Sequence, residues 1–155
     1  MPTIHYIFAW PLLRLKMTRV GHGFTVHSPF AYHFIMSCLR ERLPYYAFRK
    51  EVRDKDGQRL FRVAAYFNPA TISYLGETEK AKRIITLACP HVREVESGAD
   101  LTCVGEGEKL PDDFKILYAA KTKEKPTQSM IFTNGRTLIA VRSHGLPPQS
   151  FLLKF

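Results

Sequence analysis

Cysteine is scarce, and what is present does not pair: Cys38, Cys89 and Cys103 are an odd number for a disulfide framework and too widely spaced for a zinc knuckle. Free thiols in a reducing, cytoplasmic setting are the expectation. Acid is also short, with 14 Asp and Glu against 23 Lys and Arg, a net +9. No low-complexity tract or internal repeat occurs, and the 24% charged and 45% hydrophobic content of the 155 residues excludes disordered and collagen-like chains. The longest uncharged run, Val20 to Leu39, has the length of a membrane span but contains Gly21, Gly23, Pro29 and three histidines. It is therefore expected to fold in water. The opening MPTIHYIFAWPLL lacks the basic flank and small-residue cleavage site of a signal peptide and is expected to stay and pack.

The charge is uneven. Residues 1–62 hold 11 cations and 4 anions, residues 63–125 hold 9 and 10, and residues 126–155 add three cations. The excess therefore sits mainly in the first third. Arg14, Lys16 and Arg19, then Arg49, Lys50, Arg53, Lys55, Arg59 and Arg62, with Tyr45, Tyr46 and Phe48 nearby, could form a basic surface with aromatic platforms for nucleic acid. A solvated helical face is the commoner explanation for such a run. Gly105-Glu106-Gly107-Glu108 is too acidic for a phosphate cradle and reads as a turn.

Local signals divide the chain into a helical segment over residues 1–68 and a strand-rich part over residues 69–155, together one domain. Ser28-Pro29 before FAYHFIMSCLRERL predicts a capped helix from about Pro29 to Leu43, with an apolar stripe of Phe30, Phe34, Ile35, Cys38 and Leu39. Pro44 is its expected stop. Further helices are predicted over 11–18 and from Gly57 to Phe67, the latter ended by Asn68-Pro69 and facing inward with Leu60, Phe61, Ala64, Ala65 and Phe67. TISYL (71–75), RIITLA (83–88), LTCV (101–104), FKILYA (114–119), SMIF (129–132), TLIAV (137–141) and SFLLKF (150–155) read as strands. Only Glu77 to Lys82 would then join the first two strands. A parallel crossover needs about a dozen residues, so either the pair is antiparallel or the crossover helix has shrunk to about one turn.

GHGFTVHSPFAYHFI (21–35) resembles the HG-x-HSPF signature, here His22, Gly23, His27, Ser28, Pro29 and Phe30, that precedes the catalytic domain in a group of small bacterial class I S-adenosylmethionine-dependent methyltransferases. RLFRVAAYFNPATISYLG (59–76) is similar to the helix, first strand and cofactor loop that follow there, and the later strands keep the family's order. The resemblance implies an α/β, Rossmann-like methyltransferase-type sheet with reduced crossover helices behind a helical N-terminal segment. It also implies where a cofactor site would be. The family places an acid and a Gly-rich turn at the end of its first strand, where this chain has Tyr74, then Gly76 and Glu77. It ends its second strand in a carboxylate for the ribose hydroxyls, where this reading puts Ala88. A hydrogen bond to a charged group contributes roughly 1.5 to 3 kcal/mol, so losing the carboxylate, the glycines and the helix together is expected to abolish cofactor binding.

Catalytic candidates are missing by the same comparison. The later strand ends, Tyr118-Ala119-Ala120-Lys121 and Val141-Arg142-Ser143-His144, offer no carboxylate for metal-assisted chemistry. His22, His27, His33 and Cys38 are acceptable zinc donors, but one helix cannot aim all four inward, and no metal site is expected. The sequence thus points to a degenerate methyltransferase-like protein, without catalytic residues, cofactor or metal, acting as an interaction or regulatory partner. An active methyltransferase using S-adenosylmethionine at an altered site is the alternative, and a basic nucleic-acid-binding module the second. Shortened crossovers would leave one face of an apolar sheet uncovered, so a protein partner or homodimer is expected. No membrane association is.

Overall fold

The structure, a computed structural model, describes residues 28–42, 45–143 and 146–155. The helix expected over 11–18, Arg14, Lys16, Arg19, Gly21, His22, Gly23, His27, Pro44 and His144 lie outside the described residues.

Helix α1 (Pro29–Phe34) starts as the sequence predicts: Ser28 Oγ accepts from the Ala31 N–H at 3.3 Å, and Pro29 occupies a first-turn position where no N–H is needed. A π-helical turn, Ile35–Leu39, continues it and ends at Arg40, short of Leu43. The π turn keeps Ile35, Cys38 and Leu39 buried together with Phe34, while Phe30 is half-buried. After a short 3-10 turn, Tyr46–Arg49, helix α2 spans Lys55–Phe67. Asp54 caps it through the Gly57 N–H at 2.9 Å, and Asn68 closes it in the left-handed conformation, its N–H bonded to the Ala64 carbonyl. Leu60, Phe61 and Ala64 are buried as expected, Val63 joins them, and Ala65 and Phe67 are half-buried.

The stretch expected to be a second strand is a helix. Strand β1 (Thr71–Leu75) is followed by α3 (Glu79–Ala88) and only then by β2 (Arg93–Glu94). Read from Arg83 alone, Ile-Ile-Thr looks like a β-branched strand. Read from Ala81, the inward residues fall at 81, 84, 85 and 88, a helical period, with Leu87 turned outward. Thr86, the β-branched misfit, returns its hydroxyl to the Lys82 carbonyl at 2.7 Å. The crossover is thus a full helical one, and β1 and β2 are parallel.

Strands β3 (Leu101–Val104), β4 (Ile116–Ala120), β5 (Met130–Thr133), β6 (Thr137–Val141) and β7 (Ser150–Leu152) complete a seven-stranded mixed sheet of order β2-β1-β3-β4-β6-β5-β7. β6 runs against both of its neighbours, while the other pairings are parallel. This α/β arrangement is consistent with a Rossmann-like fold. Asp100 ties the start of β1 to that of β3, its carboxylate accepting from the Ala70 and Thr71 amides while Thr71 Oγ1 accepts from the Asp100 N–H at 3.0 Å.

Side-chain alternation sorts the sheet into two faces. Ile72, Leu101, Cys103, Phe132, Ile139 and Val141 join α1, α2 and α3 in one apolar cluster, which spans both parts of the chain divided at residue 68. Phe34 is its hub, with its ring 4.8 Å from Phe132, 5.1 Å from Tyr66 and 5.2 Å from Phe67. Val104, Leu117, Ala119, Ile131, Leu138 and Ala140 form the second face. The connection from β3 to β4, residues 105–115, holds no helix, and its Leu110 and Phe114 pack there instead. Arg142 fastens this cover: its guanidinium lies 3.9 Å from the centre of the Phe114 ring and donates to the Asp112 and Thr127 carbonyls and to Ser129 Oγ. The second face is therefore buried, so the uncovered face that motivated a second copy is not found among the described residues.

Replacing Ser28 by Ala removes one cap bond and is expected to cost about 1 kcal/mol. Phe34, fully buried, is expected to cost roughly 3 to 5 kcal/mol when replaced by Ala. Denaturant titration of the two variants checks both the magnitudes and their order.

Candidate functional site

In an open α/β sheet the site for a ligand is the crevice outside the carboxyl ends of the strands where successive connections diverge. Here the chain leaves β1 through α3 to β2 on one side and returns to β3 on the other. The crevice is therefore bounded by Leu75-Gly76-Glu77-Thr78 after β1 and Val104-Gly105-Glu106-Gly107-Glu108 after β3.

Both turns contain the glycine that close approach requires, but the chain itself makes the approach. The Gly105 N–H donates to the Leu75 carbonyl at 2.8 Å, and a Cβ on Gly105 would fall 2.8 Å from the Glu77 carbonyl oxygen and 3.0 Å from its nitrogen. Gly76 has φ +78, which favours glycine, and a side chain there would collide with Glu108. Lys121 pairs with Glu106 at 2.9 Å, and Glu124 accepts from the Leu110 N–H at 3.3 Å, so the β3 turn and the loop after it are both held. Thr78, buried at the start of α3, turns its hydroxyl to the Gly76 carbonyl.

Tyr74 projects on the helix side, with the Lys82 ammonium 5.1 Å from its ring centre. Burial, then Cys103, Glu94 and Cys89, pushes its phenol up to about 12, so it stays neutral where an acid would be charged. Glu77 is exposed. Ala88 is not at a strand end, because it closes α3. The true second strand does end in a carboxylate, Glu94, which the sequence reading missed by taking α3 for a strand. Glu94 pairs in register with Ile72 and lies 3.5 Å from Lys82 Nζ. At about 3.3 Å per residue that register stops roughly 10 Å short of the β1 carboxyl end. A cavity of about 260 Å³ beside β1 and β3, lined by the buried Ser73 and Thr102 with Glu96 and Asp113, was not foreseen either. It is below the roughly 300 to 1,000 Å³ of nucleoside-sized pockets.

The described half of the HG-x-HSPF stretch has structural work: Ser28 caps, Pro29 opens α1, and Phe30 packs on Phe34 and Phe132. His33 Nδ1 and the Tyr66 hydroxyl are hydrogen-bonded at 2.7 Å, and Cys38 is buried as a free thiol. Among the described residues no group of three or more His, Cys, Asp or Glu could hold a metal. The aromatic platforms also part: Tyr45 and Phe48 pack on Phe61 within 5.0 to 5.3 Å, leaving Tyr46 exposed. No described helix is long and apolar enough to cross a membrane.

No known protein family, curated protein or solved structure matches the chain. Beside the two glycines of the switch point lies the chain itself, the Glu77 backbone at Gly105 and the exposed Glu108 side chain at Gly76.

Gly105→Ala adds a methyl 2.8 Å from the Glu77 carbonyl oxygen, so backbone must shift, and is expected to lower stability by roughly 1 to 3 kcal/mol, read from denaturant unfolding. The thiols supply a pH signature. Burial pushes Cys103 up from 9.0 to about 12, and burial with the Glu41 charge, against Arg62, does the same for Cys38. The folded state keeps these protons while the unfolded state loses them, so their contribution is fully present below pH 9 and is lost as pH rises towards 12. Melting temperature should fall across that window, and both thiols should resist alkylation at pH 8 until the protein unfolds.

Proposed function

We propose that the chain is a degenerate, methyltransferase-type α/β protein without catalytic activity of its own, acting as an interaction or regulatory partner. The observation that carries this reading is the filled crevice at the switch point. Where a cofactor-binding relative would keep glycines clear for its ligand, Gly105 is packed against Glu77 and Gly76 lies under Glu108. Binding there would require the Glu108 side chain to swing aside and the Gly105 turn to move, breaking the Gly105–Leu75 hydrogen bond and leaving its polar groups to find new partners. The HG-x-HSPF sequence and the sheet order support descent from that family, with the helix-free β3–β4 connection as its reduced crossover. A protein partner, or a second copy, belongs to this reading, at a surface other than the buried second face.

One observation favours the active alternative: Glu94 supplies at the end of β2 the carboxylate that the sequence reading had judged lost. Calorimetry decides between the two. S-adenosylmethionine and its demethylated product should give no binding heat, and millimolar cofactor should leave the melting temperature unchanged, because a ligand that binds only the native state raises it by mass action. One-to-one binding at micromolar concentration would replace the proposal by the active alternative. Exposed Tyr46, beside Arg49, Lys50 and Arg53, favours the nucleic-acid reading, whose signature is affinity that falls steeply with salt.

A further inference from the structure

Two hydroxyls in the middle of the sheet lack partners. Ser73 and Thr102 stand opposite one another in register on β1 and β3, each between residues that pack on the helix side, so both side chains point to the second face. They keep only 8% and 7% of their surface exposed, yet neither hydroxyl is hydrogen-bonded among the described residues. A buried hydroxyl without a bond is costly. What this pair meets is the cavity of about 260 Å³, because the β3–β4 connection covers the residues of β4 to β6 and leaves a gap over β1 and β3.

The walls of the gap come from two loops. Glu96 stands on the connection from β2 to β3, and Asp113 on the connection from β3 to β4. Both are exposed, and neither carboxylate is in an ion pair among the described residues. Lys115, the one cation of the lining, is held by Asp100 at 3.3 Å. Arg142 stacks on Phe114 from outside the lining and turns its donors to the Asp112 and Thr127 carbonyls and Ser129 Oγ. Carboxylates only accept, and hydroxyls accept as readily as they donate, so the four groups suit a ligand that brings donors and no acceptor. An ammonium is such a group, and it is drawn by both charges. Leu75 and Phe114, also in the lining, offer apolar surface to a carbon chain, whereas a hard metal ion calls for about six to eight oxygen ligands. We propose that this cavity binds a small primary alkylammonium, its N–H groups on the Ser73 and Thr102 hydroxyls and its charge between Glu96 and Asp113.

The full chain is titrated with butylammonium chloride at pH 7 and low salt, where the amine is charged, and backbone amide shifts are followed by NMR. Saturable shifts are expected at Ser73, Gly98 and Thr102. Butan-1-ol, which lacks the charge, and tetramethylammonium, which lacks the N–H donors, should bind more weakly by about tenfold or more. Ser73→Ala with Thr102→Val should weaken butylammonium by about tenfold or more, and so should Glu96→Gln with Asp113→Asn. Glu51→Gln with Glu79→Gln, the same change of net charge on exposed residues outside the cavity, should not. Melting curves check that each variant folds. If the hydroxyl pair cannot be replaced without unfolding, the exposed pair of carboxylates carries the comparison. Absence of saturation, equal binding of butan-1-ol or tetramethylammonium, calcium chloride binding more tightly than the amine, full affinity in a folded Ser73 and Thr102 variant, or equal loss in the control variant would each overturn the assignment. The titration contains no S-adenosylmethionine, so no outcome depends on whether that cofactor binds.

Discussion

Two glycine turns at the same end of the sheet compete for one volume, and the function proposed for this chain follows from how that competition ends. Glycine at a strand end removes a side chain so that something else can approach the backbone. In a nucleotide-binding crevice that visitor is the ligand. At Gly105 it is the peptide of Glu77, and at Gly76 it is the Glu108 side chain. The same residue type that would leave room for a ligand is here packed against the chain, and the Gly105 N–H is bonded to the Leu75 carbonyl.

Arginine substitutes for architecture elsewhere. The second sheet face has no described helix over it, yet its residues are buried, because Arg142 gathers the Asp112, Thr127 and Ser129 oxygens around one guanidinium and stacks on Phe114. Five donors in a rigid fork let one side chain hold two loops. Arg59 does the same on the other side, joining α2 to residue 155. Arginines engaged in this way add to the formal +9 without being free to meet a partner.

Local chemistry was legible wherever one short stretch carried its own instructions. Ser28-Pro29 announced a helix start, Asn68-Pro69 a stop, and six of the strands were visible as runs of β-branched and apolar residues. The failure at residues 83–88 is equally local in origin. Ile84-Ile85-Thr86 favours a strand by composition, and only the turn upstream, with Glu79 and Ala81, reveals the helical period. That single misreading moved the second strand from Arg93–Glu94 to Ala88, turned a full crossover into a stunted one, and hid the carboxylate of Glu94.

By itself the sequence determined the start of α1 at Pro29 and the end of α2 at Phe67, the strand-rich remainder, the inward stripe of α1 and the neutral residue at position 74, because capping, periodicity and side-chain chemistry act over a few neighbouring residues. It could not determine that Gly105 meets Glu77, that Arg142 bridges three segments, or that Arg59, Arg62 and Lys154 share one cleft. Those pairings join residues about 15 to almost 100 positions apart, and they exist only once the sheet order brings its strand ends together.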